Sequence, residues 1–272
     1  MSKFIRYANQ VPSSSAVLNR QHPLAQGLIG LWTFDYSGNC HDRVANNNGI
    51  PTAVTSGYGS YGVAGTFVNI AAEIKLKATP AMSALTQSFT LAALFNQSAS
   101  ASAFSGLVCR ADAFAYSNMS YGLYLLAPPS SVLGFGADQN HFESSMVVTP
   151  GKWTFAAGVN TPGGATLYLD NAITTTTAFG APSSYPLGIP TLGAFLDVSL
   201  GGPGGFQGQI AAAYIYKRAL TSVEYNWLRS NPFCMFNGPN YLRNVSQPTA
   251  GAVPVNTMRG IGSITGPSTI QF

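Results

Sequence analysis

The segment "DQNHFE" brings Asp138, His141 and Glu143 within six residues. Strand side chains alternate between faces, so on a strand His141 and Glu143 would share one face. That arrangement is the minimum for a metal site or an acid–base pair, although a polar hairpin tip accounts for the same residues. Glycoside hydrolysis needs two carboxylates flanking one bond, one protonated and one ionised. Outside the reach of this segment, no strand carries two of the nine acids at i, i+2 spacing. In "CHDR", Cys40, His41 and Asp42 are adjacent and must point alternately to opposite faces, so they cannot line up as nucleophile, base and orienting acid. A turn with a buried cysteine is expected there. "GGPGGFQG" has no following Lys-Ser/Thr and no helix, which excludes a phosphate cradle and leaves a flexible turn. His22, before Pro23, has no visible partner. Asp35, Asp42 and Asn46 to Asn48 gather oxygens in one region, and calcium takes six to eight of them. Asparagine also builds turns, and the turn reading is preferred: no cofactor is expected, with calcium the alternative. Tyr58, Tyr61 and Tyr116 sit among small polar residues, where aromatic rings can stack on sugars. The sequons at Asn96, Asn118 and Asn244 have no consequence without a secretory route.

The elements that must position these residues are legible from composition and spacing. Of 272 residues, 46% are hydrophobic and 12% aromatic, as in a chain that folds, while only 8% are charged. Such a surface is built from Ser, Thr, Asn, Gln and Gly and repels its neighbours weakly, which suits packing against other proteins. Charge is also uneven. Residues 1–26 hold Lys3, Arg6 and Arg20, and residues 229–272 hold Arg229, Arg243 and Arg259, with no acid in either; the middle has seven basic and nine acidic residues. Three charges over each long segment are too sparse for nucleic acid, and docking of Arg6, Arg20, Arg243 and Arg259 onto an acidic protein surface is expected instead. The cysteines, Cys40, Cys109 and Cys234, are odd in number and widely spaced, so free buried thiols are expected. "MSKFIRYANQ" has no apolar core of a signal peptide, and no apolar run approaches a membrane span.

Residues 1–26 read as an extended arm and 237–272 as an extended tail. Between them, "GLIGLWTF", "QSFTLAALF", "SGLVCRA", "YGLYLL", "SVLGFGA" and "KWTFAAGV" are short apolar runs separated by turn residues, the texture of an antiparallel β-sandwich. Trp153, Phe155, Ala157 and Val159 alternate toward one face; after "NTPGG", Ala165, Leu167 and Leu169 return on an apolar face, and Asp170–Asn171 makes a second tight turn. One short helix is expected. Thr221 and Glu224 form a capping box, Leu220 and Tyr225 a hydrophobic staple, and Pro232 stops the helix.

The order of these segments resembles the laminin G-like, concanavalin A-like jelly-roll superfamily, in the form common in bacterial and bacteriophage proteins. "PLAQGLIGLWTFD" looks like its first strand, "DRVANNNGI" like its Asp-plus-Asn/Gly loop, and "GKWTFAAGVNTPGGATLYLDN" like its central hairpin. "GFQGQIAAAYIYKRALTSVEYNWL" looks like its last strand and closing helix. The likeness covers about Pro23 to Phe236. It implies an all-β jelly roll over 27–236, and it implies acidic residues at the positions of Ala211 and Ala212. Their loss suggests that Ala211, Ala212 and Ala213 form a surface packed against a neighbour. A sandwich of this kind without a signal peptide or disulfide, flanked by basic arms, implies a non-enzymatic bacteriophage virion protein. It would be a capsid decoration protein made in the host cytoplasm, anchored to other virion proteins and homo-oligomeric. The alternative is a carbohydrate-binding module that recognises host-surface glycans.

Overall fold

The computed structural model describes residues 10–13, 15–98, 105–111, 119–126, 131–138, 140–176, 179–182, 188–195 and 205–237. Arg6, Arg243 and Arg259, with Tyr116, Asn118 and Asn244, lie outside them. Every strand pairing is antiparallel, and two sheets face each other. The first runs, in spatial order, Asn140–Val147, Val132–Ala137, Met119–Leu125, Ser105–Ala111, Ile189–Leu192, Glu73–Lys75 and Ile50–Thr52. The second runs Ala172–Thr176, Gly164–Leu169, Trp153–Thr161, Phe89–Gln97, Gly208–Tyr216, Leu28–Phe34 and Cys40–Asp42. A hairpin, Val54–Gly59 and Gly62–Phe67, joins this second sheet at the start of Gly208–Tyr216. The jelly-roll sandwich expected from the sequence is the fold.

Registered rows across the second sheet explain the alanines. On its inner face, Trp32, Ala213, Ala93 and Ala156 are consecutive Cα partners. Three methyl groups leave room for one indole, which is fully buried and donates from Nε1 to the Asn47 carbonyl at 2.9 Å. Phe34, Phe67, Phe89, Phe95, Phe135 and Phe206 fill the rest of the space between the sheets. A register shift between Ile210 and Ala212 puts Ala211 and Ala212 together on the opposite, outer side.

That outer side is not solvent. A helix, Ser222–Ser230, lies over it with Tyr225 and Leu228 buried. Phe233, Met235 and Phe236 follow from the C-terminal flank, and Leu18 and Leu24 come from the N-terminal one. The outer row Leu31, Tyr214, Ala92, Ala157 and Tyr168 has small residues where the layer sits closest. Tyr225 stacks on Tyr168 at 4.2 Å, and the buried Tyr214 hydroxyl donates to the Pro232 carbonyl at 2.9 Å. Ala211, Ala212 and Ala213 are all 0% exposed. The expected docking surface on this strand is therefore corrected: the Ala211 and Ala212 methyl groups meet the chain's own third layer and that of Ala213 faces Trp32 between the sheets, places where a larger or charged side chain would not fit.

The helix is capped as expected. Thr221 Oγ1 accepts from the Glu224 N–H at 3.2 Å, and Glu224 accepts from the Thr221 N–H at 2.9 Å. Arg218 pairs with Glu224 at 2.7 Å. The N-terminal residues, where described, lie against the sandwich. Val17–Leu18 pairs with Phe236–Asn237, and Pro23–Ala25 forms a 3-10 turn beneath His22. Arg20 donates to the Val44 carbonyl at 2.7 Å, so one of the four arginines assigned to partner docking is engaged within the chain.

Candidate functional site

The residues with the most obvious chemistry are spent on structure. Asp42 is buried, and its two oxygens accept four backbone N–H groups: Leu31 and Val44 on Oδ1, Ala45 and Asn47 on Oδ2. Asn48 returns the favour by accepting from the Asp42 N–H at 3.0 Å, and Asn46 takes a positive φ of 56°. This is the turn reading of the asparagine-rich loop. Asp35 accepts from the Ser37 and Asn39 N–H groups and the Asn39 side chain, and it pairs with His41 at 2.8 Å. Desolvation opposes ionisation of Asp35, but the hydrogen bonds from His41, Asn39 and Ser37 outweigh it and hold the carboxyl down at about 2. Cys40 is buried on the other side of that strand, and burial pushes its thiol up, as it does for Cys109. Cys234 is pushed up to about 12 for the same reason; all three are free. Asp138 takes a positive φ of 50° at the turn between its two strands, and His141 and Glu143 lie on the exposed edge strand that follows. No group of three or more His, Cys, Asp or Glu that could hold a metal ion occurs among the described residues.

His22, which had no visible partner in the sequence, accepts from the Leu24 N–H and packs against Trp227 at 4.7 Å; burial lowers its pKa. Of the tyrosines able to stack on sugars, Tyr58 is exposed and meets Tyr36 at 5.6 Å, whereas Tyr61 is half-buried against Trp153. Asn96, singled out only as a sequon, has a different role.

Asn96 belongs to a polar row on the outer face of the second sheet, at the end that the helix leaves uncovered. Thr55, Thr66, Gln209, Asn96 and Trp153 are successive Cα partners across five strands, and all five side chains reach solvent at least in part. A cleft of about 550 Å3 opens there, lined by Thr66, Asn96, Gln97, Ser98, Gln207 and Gln209 with Phe67, Val68, Pro150, Gly151 and Gly208. Gln209 Nε2 donates to Thr66 Oγ1 at 3.3 Å, which fixes its amide across the floor. Gly208, at φ 143°, lets its strand run close to the Asn96 carbonyl, which a Cβ would strike. Trp153 rests over Gly59, whose missing side chain makes the space. The result is an open cleft in which amides and hydroxyls interrupt a mainly apolar surface, with no charged side chain among its described lining residues; the Trp153 indole ends the row beside it. The sequence signal was present in "FNQS" and "GFQGQ", but their register, more than a hundred residues apart, is a tertiary property.

A family model described as the concanavalin A-like lectin/glucanases superfamily matches residues 70–224. No curated protein matches. Among solved structures, domain 4 of an extracellular GH43 arabinanase from Geobacillus stearothermophilus, in complex with arabinotriose, is similar at 17% identity. Its TM-score is 0.57, with 74% of this chain and 98% of that domain covered. Trypanosoma rangeli sialidase in complex with sialic acid is similar at 14% identity and TM-score 0.56, covering 82% of this chain. This chain spans 36% of that sialidase. The binding domain of Paraclostridial mosquitocidal protein 1 matches at 14% identity and TM-score 0.56, covering 76% of this chain and 52% of that one.

Proposed function

Because the chain belongs to the concanavalin A-like lectin/glucanases superfamily, we propose that it is a non-catalytic carbohydrate-binding module whose ligand occupies the amide-lined cleft. The observation that carries this reading is the row of Thr66, Gln209 and Asn96 ending at Trp153. Side-chain amides and hydroxyls both donate and accept, as sugar hydroxyls do, and an indole offers an apolar face to a sugar ring. The arabinanase domain, solved with arabinotriose, supports the reading as an example of this architecture with an oligosaccharide bound. Lack of catalysis is proposed because Asp35 and Asp42 are committed to their loops and Glu224 to its helix cap, far from the paired arrangement that hydrolysis needs. Screening the protein on a glycan array, with Asn96→Ala and Gln209→Ala beside it, tests this. Binding that both variants weaken at least about tenfold is expected from the loss of a well-placed hydrogen bond. Binding to no glycan would refute it.

The role in a bacteriophage virion is a second proposal, favoured by the 8% of charged residues and the basic ends. Electron microscopy of the particle would place the protein on its surface, bound to other virion proteins, or show that it is absent.

A further inference from the structure

The cleft also carries information on which saccharide it takes. Resting on the carbohydrate-binding reading, we infer that it selects a neutral saccharide and rejects carboxylated ones such as sialic or uronic acids. Recognition of a carboxylate relies on Arg or Lys, whose charge replaces the water lost on binding. None of the described residues lining the cleft is charged. The cation nearest along the chain is Lys152, beside Gly151, and its ammonium is paired with Asp170 at 2.9 Å and so is already neutralised. The neighbouring sequence from Ala99 to Phe104 has no charged residue either.

The orphan atom of the cleft points the same way. Gln97 is 1% exposed; its Nε2 donates to Ser131 Oγ at 2.8 Å, but its Oε1 accepts from no described residue. A buried carbonyl oxygen without a donor is costly, and a ligand donor that reached it by displacing its cover would relieve it. A sugar hydroxyl brings one. An ionised carboxylate has acceptors only and would face this oxygen with like polarity. Gln209, whose amide is held by Thr66, contributes a fixed dipole but no net charge.

Titration calorimetry on the full chain tests the inference with lactose against 3′-sialyllactose and arabinotriose against trigalacturonic acid. The neutral member of a pair is expected to bind at least about tenfold more tightly, with binding lost in Asn96→Ala. Gln209→Lys, which places a cation in the cleft, should narrow or reverse the preference. Tighter binding of an acidic member, abolished by Asn96→Ala, would overturn the charge selectivity and leave the carbohydrate-binding reading standing. Binding that is indifferent to Asn96 and Gln209 would remove the cleft from both. Binding of no probe here, together with none on the array, would overturn the underlying reading and the inference with it.

Discussion

Truncating Leu228 to alanine asks whether the outer layer is part of the folding core or an attachment to it. Leu228 is 0% exposed and lies on the helix face that covers the outer cluster of Leu94, Phe155, Tyr214 and Phe233. Removing a buried leucine side chain loses its transfer free energy and leaves a cavity, together about 2–5 kcal/mol. For a domain of this size each kcal/mol moves the melting temperature by about 2–4 °C, so a fall of about 4–20 °C is expected. Val223, on the same helix but 71% exposed, supplies the control, and Val223→Ala should change stability by less than about 0.5 kcal/mol. Calorimetry gives the melting temperature, and amide hydrogen exchange shows where protection is lost. If the layer is integral, Leu228→Ala should lower protection in Phe89–Gln97 and Gly208–Tyr216 as well as in the helix. An unchanged melting temperature, with protection lost only over Ser222–Ser230, would show that the helix detaches by itself and refute the three-layer description.

Gly208→Ala should destabilise the fold by about 1–3 kcal/mol and weaken saccharide binding, because φ 143° disfavours a side chain and the new Cβ strikes the Asn96 carbonyl; thermal melts and calorimetry measure both. Asp35, held at about 2 against an unfolded value near 3.9, contributes stability that is full above about pH 4 and is lost as pH falls toward 2. The stability difference between wild type and Asp35→Asn, about 1–2 kcal/mol at pH 5 after solvent screening, should shrink across that window in denaturant titrations. Chelation should leave the melting temperature unchanged, since the oxygens of Asp42 are occupied by backbone donors; a clear fall would restore the calcium alternative.

Local signals in the sequence survived folding well. The capping box at Thr221 and the tight turn at Asp170, now with φ 50°, follow from chemistry within a few residues. Trp32, Phe89, Leu167 and Ile215 are fully buried, as their apolar runs suggested, while Trp153 remains partly in solvent. What the sequence hid was the side to which each face turns. Phe155, Ala157 and Val159 do share a face, but it is the outer one, whereas Ala165, Leu167 and Leu169 face the other sheet. "WTFAAGV" is apolar on both faces, which alternation alone cannot rank. Ala211–Ala213 looked like a surface for a different reason, the absence of the acidic residues that the resemblance implied at Ala211 and Ala212. A strand covered on both sides reads as a continuous apolar run, and its residues are small because Ala211 and Ala212 meet the third layer while Ala213 makes room for Trp32. The cleft was hidden for another reason: amides at strand ends read as ordinary turn residues until register joins them.

The short ladder of Val17–Leu18 with Phe236–Asn237 has a mechanical consequence. Val17 faces Asn237 across the ladder, so a pull on the pair from that end would load two neighbouring strands side by side, about 5 Å apart. Tension applied through these two points would peel the ladder open one hydrogen bond at a time, as a zipper, while strands loaded in shear must break many together. The strand Gly208–Tyr216, clamped between neighbours on both edges, lies off that line of force. Loss of this short ladder would leave the pairings of Gly208–Tyr216, and the cleft beside its start, in place.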